Sequence, residues 1–200
     1  MLTAVPDILV IDTCVLLSNV LRRLLLGLAA QGCFQPAWSG VIGDEWRRNA
    51  SRIWNMPRED IQAQWDVLQG TFPRADQGDV SLYKDGLQRS DPKDWHVIAA
   101  ALAAQAHSED GQVVAIVTRN IRDFNRTELR QRGLFLFDPD QLLQRCWQQY
   151  PQKVFSLCAD IPADCAREGH EAESLDSLLR RERLFRFNRL VAAVENKAGS

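Results

Sequence analysis

The sequence predicts an α/β protein: a three-layer α/β/α sandwich with a central parallel sheet, followed by a helical C-terminal extension. Three short apolar runs, at residues 8–11, 113–117 and 133–137, have the composition of buried strands. Stretches with helical features lie between and after these runs. Such an alternation of strand and helix along the chain is typical of a parallel sheet.

Helix signals follow the first strand. Ser18 or Asn19 could cap a helix over residues 20–30, because their side chains can accept hydrogen bonds from the first turn. Gly32 lies just beyond that helix, where glycine is favoured. Ser39 is a suitable N-cap for a second helix that we predict over residues 40–49.

The middle of the chain is less regular until a strongly apolar helix begins. A third helix is predicted over residues 57–70, and residues 80–83 could form a short strand. The pair Asp91-Pro92 then begins a helix, because proline is accepted in a first turn. Its stretch over residues 95–106 is almost continuously apolar, so we expect this helix to be well buried.

The last third of the chain is predicted to be mainly helical. A turn and a short polar helix are expected between the second and third strands, and Asp138-Pro139 begins a helix that reaches about Tyr150. Beyond it, leucines and phenylalanines recur at helical spacing. We therefore divide the chain into an α/β domain, residues 1–150, and a helical extension, residues 151–200.

Composition limits the class of protein. The 200 residues are 46% hydrophobic, enough for one sizeable core, and no apolar run is long enough to cross a membrane. The five cysteines are an odd number, lack a C-x-x-C spacing and accompany no export signal, so we expect reduced thiols and a cytoplasmic protein. A net charge of −2 neither requires nor excludes a nucleic-acid partner.

Four acidic side chains that are distant in sequence are expected to converge on one cleft. Ligands of open parallel sheets bind at the carboxyl ends of the strands. Clustered carboxylates repel one another, and a hard divalent cation with oxygen ligands removes that penalty. The four acids are Asp12, Glu45, Asp94 and Asp123.

Each acid also has an ordinary structural interpretation. Asp12 could cap the next helix, Asp94 could stabilise a helix dipole, and Asp123 could be a turn residue. Glu45 could be a solvated helix residue. Asp12 is the hardest to explain in this way, because it ends a strand that should be buried.

Several motifs resemble the PIN-domain family, in particular bacterial members related to VapC-type toxins. The resemblance extends from about Ile8 to Tyr150, and it depends on the order and spacing of the motifs together. They are ILVIDTCVLL, WSGVIGDEWRRN, DPKDWHVIAAALAA, AIVTRNIRDF and DPDQLL.

The resemblance implies a metal-dependent endoribonuclease. PIN domains are α/β/α sandwiches whose acids bind Mg²⁺ or Mn²⁺ and which hydrolyse phosphodiester bonds of RNA, usually single-stranded. Carried over by motif, the catalytic and metal-binding residues are Asp12, Glu45, Asp94 and Asp123. Many members have an aspartate where this chain has Asn120, so whether Asn120 or Asp123 faces the metal stays open.

The same motifs suggest supporting residues. Thr13, Thr118 and Asn120 could orient water or metal. Cationic residues that neighbour the acids in sequence are candidates for contacts to RNA phosphates, and these are Arg48, Arg119 and Arg122. His96 could also touch phosphate, or it could be a half-buried helix residue.

Several functional interpretations remain open at this point. The chain could be the toxin of a type II toxin–antitoxin pair, restrained by an antitoxin protein. It could instead be a catalytically inactive PIN module that binds RNA or protein. A phosphatase with Asp12 as nucleophile is disfavoured, because the position two residues later is Cys14. The C-terminal extension could pack on the core, form a homodimer or meet a partner.

Overall fold

The computed structural model describes residues 4–167 and 173–198. Its four strands are β1 (Ile8–Ile11), β2 (Gln35–Ala37), β3 (Val114–Val117) and β4 (Phe135–Phe137). The helices are α1 (Thr13–Leu16), α2 (Asn19–Ala30), α3 (Gly40–Ile53), α4 (Arg58–Thr71), α5 (Trp95–Ala106), α6 (Arg126–Gln131), α7 (Pro139–Gln149), α8 (Pro151–Arg167), α9 (Leu175–Arg181) and α10 (Phe185–Ala198). Short 3₁₀ turns cover Ser81–Lys84, Pro92–Asp94 and Ile121–Asp123.

All four strands run parallel in one sheet, in the order β2-β1-β3-β4. In the centre of the sheet, Val10 pairs with Ala37 on one side and with Ile116 on the other. Every residue of β1 and β3 is buried. The predicted α/β class and parallel sheet are confirmed, and strands covered on both faces are what a three-layer α/β/α sandwich requires.

Two strand assignments differ from the prediction. The sequence analysis did not identify β2, a three-residue edge strand that contains Pro36. Proline has no N–H to donate to a neighbouring strand, so it is tolerated at a sheet edge, where one side of the strand has no such neighbour. Residues 80–83 are not a strand, since a 3₁₀ turn begins at Ser81. Val80 and Tyr83 both pack beside α5, whereas Leu82 is 84% exposed, which suits a helical turn.

The predicted helix starts are confirmed at three caps. The side chain of Ser18 accepts a hydrogen bond from the Leu21 N–H, and that of Ser39 accepts one from the Ile42 N–H. Asp138 caps α7 in the same way. Across residues 4–167 and 173–198, no helix combines the length and the apolar character needed to cross a bilayer.

The chain forms two compact units. Among the described residues, the sheet unit comprises Pro6–Leu17 and Phe34–Phe137, and the helical unit comprises residues 4–5, Ser18–Cys33 and residues 138–167 and 173–198. Both units contain segments from distant parts of the sequence. The division at residue 150 into a domain and an extension stays a prediction.

Tryptophans build the core of the sheet unit where α3 packs on α4. The Trp46 ring lies 5.6 Å from both the Trp54 and the Trp65 rings, measured between centroids. Its indole N–H donates to the carbonyl of Leu16, 3.1 Å away, at the end of α1. Trp46 therefore links α3, which carries Glu45, to the short helix that follows Asp12.

In the helical unit, α10 is held against α7. The Asp140 carboxylate accepts hydrogen bonds from the backbone N–H groups of Phe187, at 2.8 Å, and Arg186, at 3.2 Å. These are N–H groups of the first turn of α10, which lack partners within the helix. The Phe187 ring also meets Trp147 edge to face, with centroids 6.1 Å apart. Part of the predicted extension thus packs on the helix over residues 139–149.

We expect Asp140→Ala to destabilise the protein by about 1–2 kcal/mol, the usual cost of losing a helix N-terminal acceptor. Urea denaturation would measure the loss, and limited proteolysis should show earlier cleavage within α10. Gln148→Ala is the matched control, because Gln148 is an exposed residue of the same helix. Equal stability of the two variants would contradict this account of how α10 is held.

Candidate functional site

The candidate site lies at the carboxyl ends of β1 and β3. Asp12 directly follows β1, and its backbone N–H donates to the carbonyl of Val117, the last residue of β3. The side chain is only 4% exposed. A carboxylate this buried requires donors, because removing a charge from water without compensation is costly.

Two neighbours supply those donors to one carboxylate oxygen. The Thr118 hydroxyl donates to Asp12 Oδ2 at 2.6 Å, and the Cys14 thiol donates to the same oxygen at 3.1 Å. Burial, with the nearby charge of Asp12, raises the pKa of the Cys14 thiol to about 12. Cys14 therefore stays protonated at neutral pH and acts as a donor, which argues against a nucleophilic role.

Glu45 is held by groups from two other segments. The Thr13 hydroxyl donates to Glu45 Oε2 at 3.2 Å, and His96 Nε2 lies 3.3 Å from the same oxygen. The interaction with His96 outweighs partial burial and lowers the pKa of Glu45. Glu45 is therefore an ionised carboxylate at neutral pH, and it lies beside a histidine whose pKa is shifted upward.

The surroundings of His96 favour its protonated form. The ring is 6% exposed, and Nδ1 lies 2.8 Å from the carbonyl of Lys93. Burial lowers the pKa of His96, but Glu45 and this carbonyl outweigh it, so the net shift is upward. Only the imidazolium carries an N–H on both ring nitrogens. Its Nδ1 can then donate to the Lys93 carbonyl, while Nε2 lies at ion-pair distance from Glu45 without hydrogen-bond geometry. Its buried place beside Glu45 favours a role in holding that acid over direct contact with phosphate.

The pKa of Asp94 reflects the negative charges of neighbouring aspartates. This residue ends the 3₁₀ turn that precedes α5. Burial, then the negative charges of Asp12 and Asp123, raises its pKa to about 6. Asp12, Asp94 and Asp123 therefore share one negative field, although they come from three separate segments.

The other predicted residues lie around this cluster in different ways. The Asn120 side chain is exposed, and its backbone N–H donates to the Thr118 hydroxyl at 3.0 Å. Asp123, rather than Asn120, contributes to the field that raises the pKa of Asp94. Three predicted RNA-contacting residues are exposed, namely Arg48, Arg119 and Arg122.

The donor chemistry suits a hard cation, but a coordination shell is not already assembled. In the part of the chain that the structure describes, no three histidine, cysteine or acidic side chains are arranged to hold one metal ion. Mutually repelling aspartates nevertheless fit Mg²⁺ or Mn²⁺, which prefer oxygen ligands, and Mg²⁺ commonly keeps several waters. Asp12, Asp94 and Asp123 would hold such an ion only if their carboxylates moved closer together than they stand here, with Glu45 beside them.

Sequence reasoning missed one buried carboxylate near the cluster. Glu128, in the first turn of α6, is 5% exposed and accepts hydrogen bonds from the backbone of Gln88, Arg89 and Ser90. Burial raises the pKa of Glu128, but these bonds outweigh it and the net shift is downward. Its only sequence signal was a charged residue beside the apolar Leu129.

Comparison with known proteins found no relative: no protein-family model matches the chain, and no curated protein or solved structure matches it. The resemblance to PIN domains therefore rests on the sequence motifs alone.

In metal-free buffer, we expect Asp94→Asn to stabilise the protein at pH 8 and to have little effect near pH 4. The folded-state pKa of about 6 lies above the ordinary 3.8, so the charge of Asp94 opposes folding above pH 6. Between these values the folded state binds more protons, and stability falls as the pH rises. Below pH 3.8 both states are protonated and the penalty disappears.

Urea denaturation of wild type and Asp94→Asn at both pH values checks this prediction. Asp110→Asn serves as the control, since Asp110 is an exposed aspartate. A gain of equal size at pH 4 and pH 8 would show that the charge of Asp94 is not the cause.

Proposed function

We propose that this chain is a metal-dependent endoribonuclease of the PIN type. The single observation that carries the proposal is the proximity of Asp12 and Asp123 to Asp94: burial, and then these two negative charges, raise the pKa of Asp94 to about 6. Repulsion between carboxylates lowers the stability of the fold, and a bound divalent cation relieves it. Strongly shifted pKa values of this kind are concentrated at functional sites.

Each site residue has a defined part in this proposal. Thr118 and Cys14 both donate to Oδ2 of Asp12, which fixes the orientation of that carboxylate. Asp94 and Asp123 are the residues from the other segments that would hold the cation together with Asp12. When bound, Mg²⁺ or Mn²⁺ would make a water molecule more acidic near neutral pH and offset negative charge on the phosphate.

Glu45 has a different environment and therefore a different role. Its Oε2 lies beside His96, whose pKa is shifted upward, and also accepts from Thr13. This carboxylate stays ionised and fixed beside the aspartates, where it can orient a water molecule for attack on phosphorus. A phosphodiester is then hydrolysed without a covalent intermediate on the protein.

RNA contacts are assigned to the exposed arginines near the acids. Arg119 and Arg122 follow β3 on the segment that carries Asp123, and Arg48 lies one helical turn beyond Glu45. Guanidinium groups pair well with phosphate oxygens, and such contacts position a strand without reading its sequence. We therefore expect single-stranded RNA to bind along these residues.

Cleavage of labelled single-stranded RNA by the purified full chain tests the proposal. We expect activity with Mg²⁺ or Mn²⁺ and none with EDTA, restored when the metal is returned. RNA binding without cleavage at any metal concentration would instead identify a catalytically inactive module. A gel of end-labelled RNA distinguishes internal cleavage from trimming at the ends.

We further propose that the nuclease is the toxin of a toxin–antitoxin pair. The support is the resemblance of its motifs to VapC-type toxins. Expression of wild type alone, and together with the neighbouring open reading frame, tests this. Growth arrest that the neighbour relieves supports a toxin, and unimpaired growth in both cases opposes it.

A further inference from the structure

The Glu128 carboxylate accepts four hydrogen bonds, all from residues outside its own helix. Its Oε1 accepts from the N–H groups of Gln88, at 2.8 Å, and Arg89, at 3.2 Å. Its Oε2 accepts from the Ser90 N–H, at 3.0 Å, and from the Ser90 hydroxyl, at 2.7 Å. Three successive backbone N–H groups of an irregular segment therefore point at one buried carboxylate.

This carboxylate is not required to form α6. The first turn of α6 is already capped by Asn125, whose side chain accepts from the N–H groups of Thr127 and Glu128. The bonds made by the Glu128 side chain all lead instead to residues 88–90, about 40 positions earlier. Its function is therefore to hold that segment rather than its own helix.

Further bonds hold residues 88–91 in place. The Ser90 hydroxyl accepts from the Asn125 N–H at 3.0 Å, which connects the two segments. The Ser90 carbonyl accepts from the indole N–H of Trp95 at 2.9 Å, which connects residue 90 to the start of α5. One residue later, the Asp91 N–H donates to the carbonyl of Asp123 at 2.8 Å. Residues 88–91, which lead into Asp94, are thus held against residues 123–128.

We propose that Glu128 is a positioning residue that fixes the spacing of Asp94 and Asp123. These two aspartates repel each other, so without an external restraint their segments would separate. The Glu128 carboxylate provides that restraint through its bonds to residues 88–90, which precede Asp94. The inference rests on the proposed function, because the spacing would matter for a cation bound by both aspartates.

Glu128→Gln is the test variant, because it keeps the size of the side chain and removes two acceptor positions. In either orientation of the amide, its NH₂ group faces a backbone N–H of residues 88–90. Ser51→Ala is the matched control: it removes one side-chain bond of the sheet unit, to the carbonyl of Met56, away from residues 88–94.

The first measurement is amide hydrogen exchange in metal-free protein. We expect the Asp91 and Asn125 amides to exchange ~10-fold faster or more in Glu128→Gln, in line with the loss of a buried charge-assisted hydrogen bond. Amides of β1 and β3 should keep their wild-type rates, which shows that the sheet is intact. Ser51→Ala should leave the Asp91 and Asn125 amides unchanged.

The second measurement is Mn²⁺ binding followed by electron paramagnetic resonance. We expect Glu128→Gln to bind Mn²⁺ ~10-fold more weakly, as is usual when a residue that orients metal ligands is lost. RNA cleavage should then need more Mn²⁺ but recover at saturation. A loss of folding alone would lower the amount of active protein without changing this metal dependence.

The outcomes separate the two proposals. Wild-type exchange at Asp91 in Glu128→Gln overturns the role of Glu128, whether or not the wild type binds Mn²⁺. Faster exchange with unchanged Mn²⁺ affinity overturns it as well. Faster exchange in a protein whose wild type binds no Mn²⁺ supports the restraint and overturns the nuclease. If Glu128→Gln does not fold, Ser90→Ala takes its place in both measurements.

Discussion

Asp12→Asn is expected to reduce RNA cleavage by at least about 1000-fold, equivalent to ~4 kcal/mol of transition-state stabilisation. The Asp12 carboxylate accepts hydrogen bonds from Thr118 and Cys14, and its backbone N–H donates to the end of the neighbouring central strand. Metal-ion catalysis supplies several kcal/mol that a neutral amide at this position cannot retain. Single-turnover cleavage at saturating Mn²⁺ measures the loss.

The same substitution should leave the fold intact or slightly more stable. The amide oxygen of the substituted side chain can still accept from Thr118 and Cys14, while the charge that opposes ionisation of Asp94 is gone. Asp7→Asn is the matched control, because Asp7 precedes the opposite end of β1 and accepts a hydrogen bond from Val113. If Asp7→Asn lost as much activity, the result would reflect damage to β1 and not loss of a site residue.

Trp46→Ala is expected to lower the free energy of unfolding by about 3–5 kcal/mol, the usual range for removing a buried tryptophan. The indole is fully buried between Trp54 and Trp65, so its loss leaves a cavity lined by rigid rings. Urea denaturation followed by circular dichroism measures the change. Activity at low temperature should also fall, since Trp46 links α3 to α1.

Trp46→Phe separates packing from hydrogen bonding at this position. It retains a ring but loses the N–H that donates to the Leu16 carbonyl. We expect a smaller loss, which combines ~1 kcal/mol for the hydrogen bond with a reduced cavity. Equal losses for the two variants would mean that the hydrogen bond, and not the ring, dominates.

The fold could be predicted where the signal was local. The helix over residues 95–106 has the predicted bounds, because an apolar stretch begins directly after a proline-containing turn. Strand β2 could not be predicted in the same way. Three residues that include Pro36 carry no strand pattern, and their pairing with β1 depends on a neighbour that lies 27 positions earlier.

The candidate site was only partly visible in the sequence. Asp12 could be identified because it directly follows a buried strand, and Asp94 because it precedes an apolar helix. The contacts that hold these acids in place could not be recognised from the sequence. The donors to Glu128 are mostly backbone N–H groups, which every residue except proline has, so no side-chain pattern could reveal that contact.

The pairing of β1 with β3 also affects how the protein is made. Asp12 and its donor Thr118 are 106 positions apart, so they meet only after most of the chain has been synthesised. Contacts between such distant residues form late, because a long loop must close first. A nascent chain that has left the ribosome only as far as α5 already carries Asp12, Glu45 and Asp94 but lacks the strand that aligns them. The candidate site can therefore be complete only after β3 and the following segment, which carries Asp123, have been translated.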